Sequence, residues 1–561
     1  MSLFSKMKEG IKSMIGIKDI EKKLDVAVAM STQMQNAIAT WAAMYQNKAQ
    51  WLHEPDSENP ARVASLGLPA MIASEKARTA LIEFNSGITT PTEEVEEPNP
   101  DYKDPPDMER NVWGEEVPKI VPPTITTEKP TSNVARAEYL NEQYTELKTH
   151  LKKQLEYGIA LGGLVIKPYP VKTVDAITKK ETTKFQFDFV RANCFYPLAF
   201  NNLGDITECV FVQIKVDKTV TYYRTEHHKW ENNTVTIINK AFESNNTTAP
   251  MGETIKMGSL NLGKPIPLTD VPEWSTLQEK TTIGPVTRPL FAYFKMPDAN
   301  TIDLTSPLGV SGFSRAESLI KDADMQYSRL LWEYEAGEMA VNVDRDAFRW
   351  MQDADGSDRG HSQLGKSQQR LYRQLDVGEG ELFEPYAPTL RDASYNQGLN
   401  SILMRIEDVT GLSRGTISDA TQEAKTATEL KILKQRSYQA NVDIQQALEK
   451  TLKDAIYVMN VYCDLYKLAP EGEYDVNFEW DDSILVDEDI ELTRQITLLQ
   501  NGITSKVAIR MWYYGETERQ AKEALEKINE ESKEDAENDL ANQDFFHEDD
   551  EDDDKKKEGK K

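Results

Sequence analysis

The sequence predicts an α+β fold, mainly helical, on three observations. The first is a long helical pattern late in the chain. Small or apolar residues at Leu430, Leu433, Ser437, Ala440, Ile444, Ala447, Thr451 and Ala455 step by three or four and keep one stripe on one helix face. A second stripe takes over at Leu448, Leu452, Ile456, Met459 and Cys463, with no Pro or Gly before Pro470. Such a helix, capped by Thr426 or Thr428 and ended by Leu468-Ala469-Pro470, is roughly 60 Å long. Two drifting stripes require packing on more than one side. The second observation is a change of period after Gly162, where β-type runs begin. The third is a pair of helical patterns, Ala316 to Tyr334 and Asp392 to Thr410, separated by a compact insert.

The remaining elements follow in chain order. Residues 20–53 predict helix, with Met34, Ile38, Trp41 and Tyr45 on one face and Trp51 adding bulk; Leu66 to Phe84 predicts another. Thr89 to Asn133 holds nine prolines and many acids, so neither helix nor strand is expected to persist in this surface arm or loop. Residues 134–158 return to helix. Leu164 to Tyr169, Phe185 to Val190, Val210 to Val216, Thr219 to Tyr223 and Val235 to Ile238 read as an antiparallel meander with Asn-rich turns. The insert 338–391 has short strands at Met339 to Val343 and Glu381 to Phe383. After Pro470 come one strand, Tyr474 to Trp480, and three short helices. The first carries Leu492, Ile496 and Leu499, the second runs from Thr504-Ser505 to Gly515, and the third opens on the capping box Thr517-Glu518-Arg519-Gln520. The tail from Glu531 has 14 acids and six lysines and predicts a solvated, disordered segment. No internal repeat is present.

With 561 residues the chain has room for several domains. A net charge of −28 excludes a DNA-binding protein of the usual kind, which gains affinity from a basic surface; it leaves room for one that surrounds DNA without gripping it. Cys194, Cys209 and Cys463 are too scattered for a disulfide framework or a zinc site, and fit a reducing cytoplasm. The longest apolar run, Ile159 to Ile166, holds two glycines and is far short of a membrane span; no signal peptide is found. The basic amphipathic start, Leu3 to Ile15, is read as docking on the protein's own surface rather than on a membrane.

Gly360 to Ser367 matches the phosphate-binding pattern G-x-x-x-x-G-K-S. The chemistry needs a buried strand before that loop, and Gln352 to Arg359 is polar and acidic, so the match is read as chance. His227 and His228 are adjacent on a strand, point to opposite faces and would not share a metal; they are expected at a surface or edge. No nucleophile–base arrangement stands out. Arg414 to Thr428 has little apolar bulk beyond Ile417 and is expected to line an opening. The polar run Asp353 to Lys366 is expected to be an exposed loop.

Ser306-Pro307-Leu308-Gly309-Val310-Ser311 leads into the helix through Asp324 and Tyr327, and Gly411-Leu412-Ser413 leads through Lys425-Thr426-Ala427-Thr428-Glu429. In that order and spacing these pieces resemble the portal proteins of long-tailed bacteriophages, especially those infecting Gram-positive bacteria. Weaker support comes from Trp41, Tyr45 and Trp51, Gly162-Gly163, and Asn501 to Lys506. The resemblance runs from the N-terminus to about Ile528 and leaves out the Pro-rich arm and the acidic tail.

The resemblance implies a portal fold with a wing (1–306 and 429–483, with the arm 89–133), a two-helix stem (307–336, 392–413), a clip (337–391), a tunnel loop (414–428), a crown (484–530) and a tail (531–561). It implies a ring, a dodecamer in the virion, at the capsid portal vertex, of a protein made in the bacterial host cytoplasm. Double-stranded DNA would pass through, and the partners would be large terminase, a head-completion or adaptor protein, scaffolding protein and major capsid protein. Neither enzymatic activity nor a cofactor or metal is implied. Arg414, Thr416, Ser418, Lys425 and Thr428 would line the tunnel; Asp353, Asp355, Asp358, Arg359, Lys366 and Arg370 would form the clip's docking surface. The competing readings are an ATPase through Gly360 to Ser367 and a cytoplasmic helical scaffold protein unrelated to phage.

Overall fold

A computed structural model describes residues 16–53, 63–82, 84–98, 108–110, 116–118, 124–174, 181–217, 220–244, 261–344, 372–375, 383–419, 427–480, 488–515, 519–525 and 527–528. The chain divides into two compact units, Met1–Trp480 and Asp481–Lys561.

In the first unit the long helical pattern forms one 40-residue helix, here α8 (Ala427–Tyr466). Its C-terminal half is buried on both stripes, at Ile444, Leu448, Leu452, Ala455, Ile456, Met459 and Cys463. It packs on α4 (Leu68–Ala80), α5 (Ala135–Leu161) and the strands β6 (Gly163–Val174) and β14 (Ala292–Lys295). Arg136, in the first turn of α5, secures the end of α8. Its guanidinium donates to Pro470 O (2.7 Å), Ala469 O (3.1 Å), Asn460 Oδ1 (2.9 Å) and Asp464 Oδ1 (2.7 Å). The buried cation thus ties the loop beyond the helix, at Ala469 and Pro470, to the last two turns of α8, at Asn460 and Asp464.

The early helical stretch is interrupted. α1 (Ile17–Leu24) ends where Asp25 turns left-handed at φ 58°, and α2 (Thr32–Tyr45) starts afresh with the Ser31 hydroxyl accepting from Met34 N (3.2 Å). The Ser31 hydroxyl thereby satisfies one of the first-turn amides that a newly started helix leaves without an acceptor of its own. A single turn, α3 (Gln50–His53), carries Trp51.

The meander is antiparallel, as its alternation predicts, but divides into two sheets. One is β14–β6–β7, with β7 at Glu181–Arg191. The other runs β12–β11–β10–β9–β8, from Lys264–Ile266 through Thr234–Ser244, Val220–Glu231 and Ile206–Asp217 to Phe195–Phe200, with β13 (Lys280–Ile283) also on β11. The strand expected at Thr219 to Tyr223 continues through both histidines. They sit in the sheet interior, not at an edge: His228 is buried. Apolar cross-strand neighbours hold the strand together past its polar residues.

The Pro-rich arm also departs from expectation. β2 (Thr92–Pro98) and β5 (Thr124–Pro130) pair antiparallel over their full lengths, and β3 (Met108–Arg110) pairs with β4 (Glu116–Pro118). Proline sits at strand ends in the longer pair, where a missing N–H costs the ladder little, and threonine, valine and isoleucine lie between. Averaged over the whole arm, the proline content concealed these runs. At the arm's base β1 (Asn85–Thr89) pairs with β18 (Asp475–Glu479).

Two stretches far apart in sequence meet at glycine. A Cβ on Gly162 (φ +83°) would lie 2.6 Å from Gly309 O, so the two backbones touch directly. Met296 N donates to Gly162 O (3.2 Å) and Gly309 N to Tyr293 Oη (3.3 Å), completing the joint.

From this joint the chain enters α6 (Glu317–Ala336), which packs against α7 (Asp392–Thr410). Between them a three-stranded sheet centres on β15 (Ala340–Asp344), parallel to β16 (Tyr372–Leu375) and antiparallel to β17 (Phe383–Tyr386). Glu333 clamps its base by accepting from Arg391 N (3.1 Å), Nε (3.0 Å) and a terminal guanidinium nitrogen (2.7 Å).

The second unit holds α9 (Glu488–Gln500) and α10 (Lys506–Tyr514), the latter capped by Ser505 Oγ accepting from Ala508 N (3.1 Å), and a helical stretch over 519–525. Thr517 and Glu518 of the expected capping box, the N-terminal amphipathic stretch up to Ile15 and the acidic tail lie outside the described residues.

Candidate functional site

Residues 411–419, which leave α7 in the direction of α8, are held by a dense set of hydrogen bonds. Gly411 closes α7 in the left-handed conformation, and a Cβ there would come 3.3 Å from the Ala440 side chain, so the loop leaves close against α8. Glu407, in the last turns of α7, is fully buried. Its carboxylate accepts from Ile417 N (2.7 Å), Ser418 N (2.9 Å), Ser418 Oγ (2.7 Å) and Gly415 N (3.3 Å). One buried acid thus gathers three amides and a hydroxyl of an apolar-poor loop. Charge-assisted hydrogen bonds replace the packing that the loop's composition denies it.

Arg414 makes a bidentate pair with Asp408, through Nε (3.1 Å) and a terminal nitrogen (2.8 Å), and stays partly exposed. Thr416 Oγ1 donates to Ser413 O (2.6 Å), and Asp419 N to Asn400 Oδ1 (2.8 Å). Ser418, expected among the lining residues, is instead buried and turned to Glu407, because the acid offers a better partner than solvent offers a short hydroxyl. Lys425 lies outside the described residues; so does the Thr428 side chain, although its backbone is in the first turn of α8. Asp353, Asp355, Asp358, Arg359, Lys366 and Arg370, with the whole Gly360–Ser367 pattern, also lie outside them.

Sequence reasoning missed Glu407. Its signal was a carboxylate beside the buried stripe Leu399, Ile406 and Thr410, followed by a Gly/Ser/Thr-rich loop with amides to satisfy. It also missed the tether on α6. Asp324, buried, accepts from Trp51 Nε1 (3.0 Å) and Leu66 N (2.8 Å), while Ala64 N donates to Ser328 Oγ (2.8 Å). Burial raises the Asp324 pKa, and both hydrogen bonds oppose that rise.

A charged network lies between the two sheets. Lys167 Nζ reaches Glu226 (2.9 Å) and Asp188 (3.2 Å), Arg224 also reaches Glu226 (3.2 Å), and His228 Nε2 lies 2.6 Å from Glu226 Oε1. Burial opposes the Glu226 charge, yet Lys167, the His228 hydrogen bond and Arg224 hold the carboxyl well below its usual range. Burial holds His228 below its ordinary pKa despite Glu226. A cavity of about 320 Å³ adjoins, lined in part by Gln154, Arg191, Cys194 and Gln213. Burial pushes the Cys194 thiol up to about 11, so it is protonated at neutral pH and is no ready nucleophile. Each charge is answered by its opposite. Among the described residues no group of three or more His, Cys, Asp or Glu side chains is placed to hold a metal ion.

The helical hairpin with its small sheet, the clasped loop and the long helix all lie within one family match. The family described as phage portal protein, SPP1 Gp6-like, matches residues 121–538, roughly three quarters of the chain. The chain belongs to the phage portal protein family. No curated protein matches it. Portal proteins are structural parts of the phage particle, and membership gives no support to the ATPase or the unrelated scaffold reading. In this portal-family chain no described helix is long and apolar enough to cross a membrane.

Proposed function

We propose that the chain assembles into a ring, twelve copies in the mature particle, at one vertex of the capsid of a phage of Gram-positive bacteria. The ring is the conduit through which DNA enters during packaging and leaves on ejection. α6 and α7 form its stem, the β15–β17 module its clip, and residues 414–428 its tunnel loop. Large terminase docks at the clip, a head-completion protein replaces it there, and scaffolding and major capsid proteins surround the ring during assembly. The family match through the hairpin, the clasped loop and α8 carries this reading.

Charge supports it. A net charge of −28 disfavours lasting adhesion of phosphates, and the one described cation of the loop, Arg414, is held by Asp408. Arg414, Thr416, Lys425 and Thr428 remain the proposed lining; Ser418 drops out because its side chain faces inward. The purified chain, imaged in negative stain and weighed by native mass spectrometry, should give closed rings with a central channel. A monodisperse monomer at micromolar concentration would overturn the reading.

A further inference from the structure

The ribbon β2–β5 stands apart from both sheets. Its two strands pair with each other, and no other described strand joins them. A sheet of only two strands is marginal in water unless something packs on it. Yet its root is well fixed. Thr131 N donates to Pro91 O (2.9 Å), and the single proton of Thr131 Oγ1 lies within reach of both Pro91 O (3.1 Å) and Glu473 Oε2 (3.0 Å). The ribbon's first strand carries Glu93, Glu94, Glu96 and Glu97 and no Lys or Arg. That strand also precedes the span shared with the portal family, which begins at residue 121.

The complement to an acidic strand lies elsewhere on the same chain. On the outer side of β11 the short strands β12 and β13 form an edge of the six-stranded sheet. Lys264 on β12, Lys280 on β13 and Lys240 on β11 between them are all exposed. An edge offers main-chain groups for a further strand, and lysines on an edge repel other basic strands while admitting an acidic one. Within one chain the ribbon pairs with neither β12 nor β13.

We propose that the β2–β5 ribbon of each chain docks on the β12–β13 edge of the neighbouring copy, through its acidic strand against Lys240, Lys264 and Lys280. The contact is heterologous, so a ring closes it without leaving a free ribbon. This rests on the ring reading given above.

The test compares rings of the unaltered chain with three variants. One replaces residues 92–130 by a short glycine linker between Pro91 and Thr131, one carries Glu93→Lys, Glu94→Lys, Glu96→Lys and Glu97→Lys, and one carries Lys264→Glu with Lys280→Glu. Mass photometry over a dilution series gives the concentration at which half the rings have dissociated. That concentration should rise at least about tenfold in each variant, equivalent to ~1.4 kcal/mol. Combining the two charge reversals should restore it to within about threefold of the unaltered chain. Excised rings that dissociate no sooner than unaltered ones overturn the proposal, as does a combined reversal no better than either alone. Unchanged rings that fail to enter capsids would assign the ribbon to the capsid protein, and also overturn it. If the unaltered chain forms no ring, the ring reading and this contact fall together; if rings form and resist excision, only the contact falls.

Discussion

Trp51 Nε1 donates to Asp324 Oδ2 at 3.0 Å, joining a one-turn helix near the N-terminus to the middle of α6, 273 residues later. The other oxygen takes Leu66 N at 2.8 Å, so one buried carboxylate pins two separate parts of the N-terminal segment to the helical hairpin. Asp324→Ala leaves an indole N–H and a backbone N–H without partners, and should cost about 1–3 kcal/mol in thermal or denaturant unfolding. Asp324→Asn turns an amide NH₂ toward one of the donors and should recover only part of that. A loss below about 0.5 kcal/mol for the alanine variant would show the tether to be dispensable.

Glu407 should control the order of the loop rather than the fold. In Glu407→Ala the amides of Ile417 and Ser418 lose their acceptor, and hydrogen exchange across 413–418 should accelerate by about tenfold or more while α8 beyond Ile444 stays protected. Glu407→Gln keeps one acceptor oxygen and should fall between. Unchanged exchange at Ile417 and Ser418 would count against the clasp.

The network around Glu226 makes stability fall on acidification. The His228 pKa is depressed in the folded chain. The unfolded chain therefore takes up its proton first as pH drops through about 6.5, and stability declines from there. The depressed Glu226 contributes stability that is present above its unfolded pKa, about 4.3, and is lost as pH falls through its lower folded value. Both act in the same direction, in two windows. His228→Gln keeps a donor for Glu226 but does not titrate, so the stability difference between pH 7.5 and 5.5 should shrink by about 1 kcal/mol relative to the unaltered protein. Parallel pH profiles would show that another histidine carries the upper window.

Arg136→Lys keeps the charge but removes the planar fork. A lysine ammonium cannot serve Pro470, Ala469, Asn460 and Asp464 together. The expected loss is about 1–3 kcal/mol, with faster exchange over 460–466 and little change at the start of α5. Equal protection in both proteins would mean that packing alone holds the end of α8.

For the proposed conduit, Lys425→Glu should change packaged DNA content or its retention while rings of normal mass still form, because an added acid near the channel axis repels phosphate. Packaging assays indistinguishable from the unaltered protein would make Lys425 an ordinary solvated residue.

Elements whose signal is local were legible in the sequence. The two drifting stripes of α8 and the helix–insert–helix order around β15 follow from periodicity alone, and Gly502 and Gly515 mark helix ends in the second unit. What was hidden depended on partners distant in sequence. Glu407 and Asp324 could not be told apart from the chain's many other carboxylates until the amides they accept from were brought to them. His228 looked like an edge residue because its burial comes from Phe211 and Phe291, which pack edge-on to its ring. The β2–β5 pairing was hidden for a different reason. The pattern was local, but it was averaged with prolines that stand at its ends.

The contact of Gly162 with Gly309 bears on how force would travel through this chain. No side chain stands between the two backbones, so any load that reaches the joint is handed from one main chain directly to the other. A Cβ at either position would fall on the opposite backbone and wedge the two apart, and the hairpin and its sheet would then meet through side chains instead.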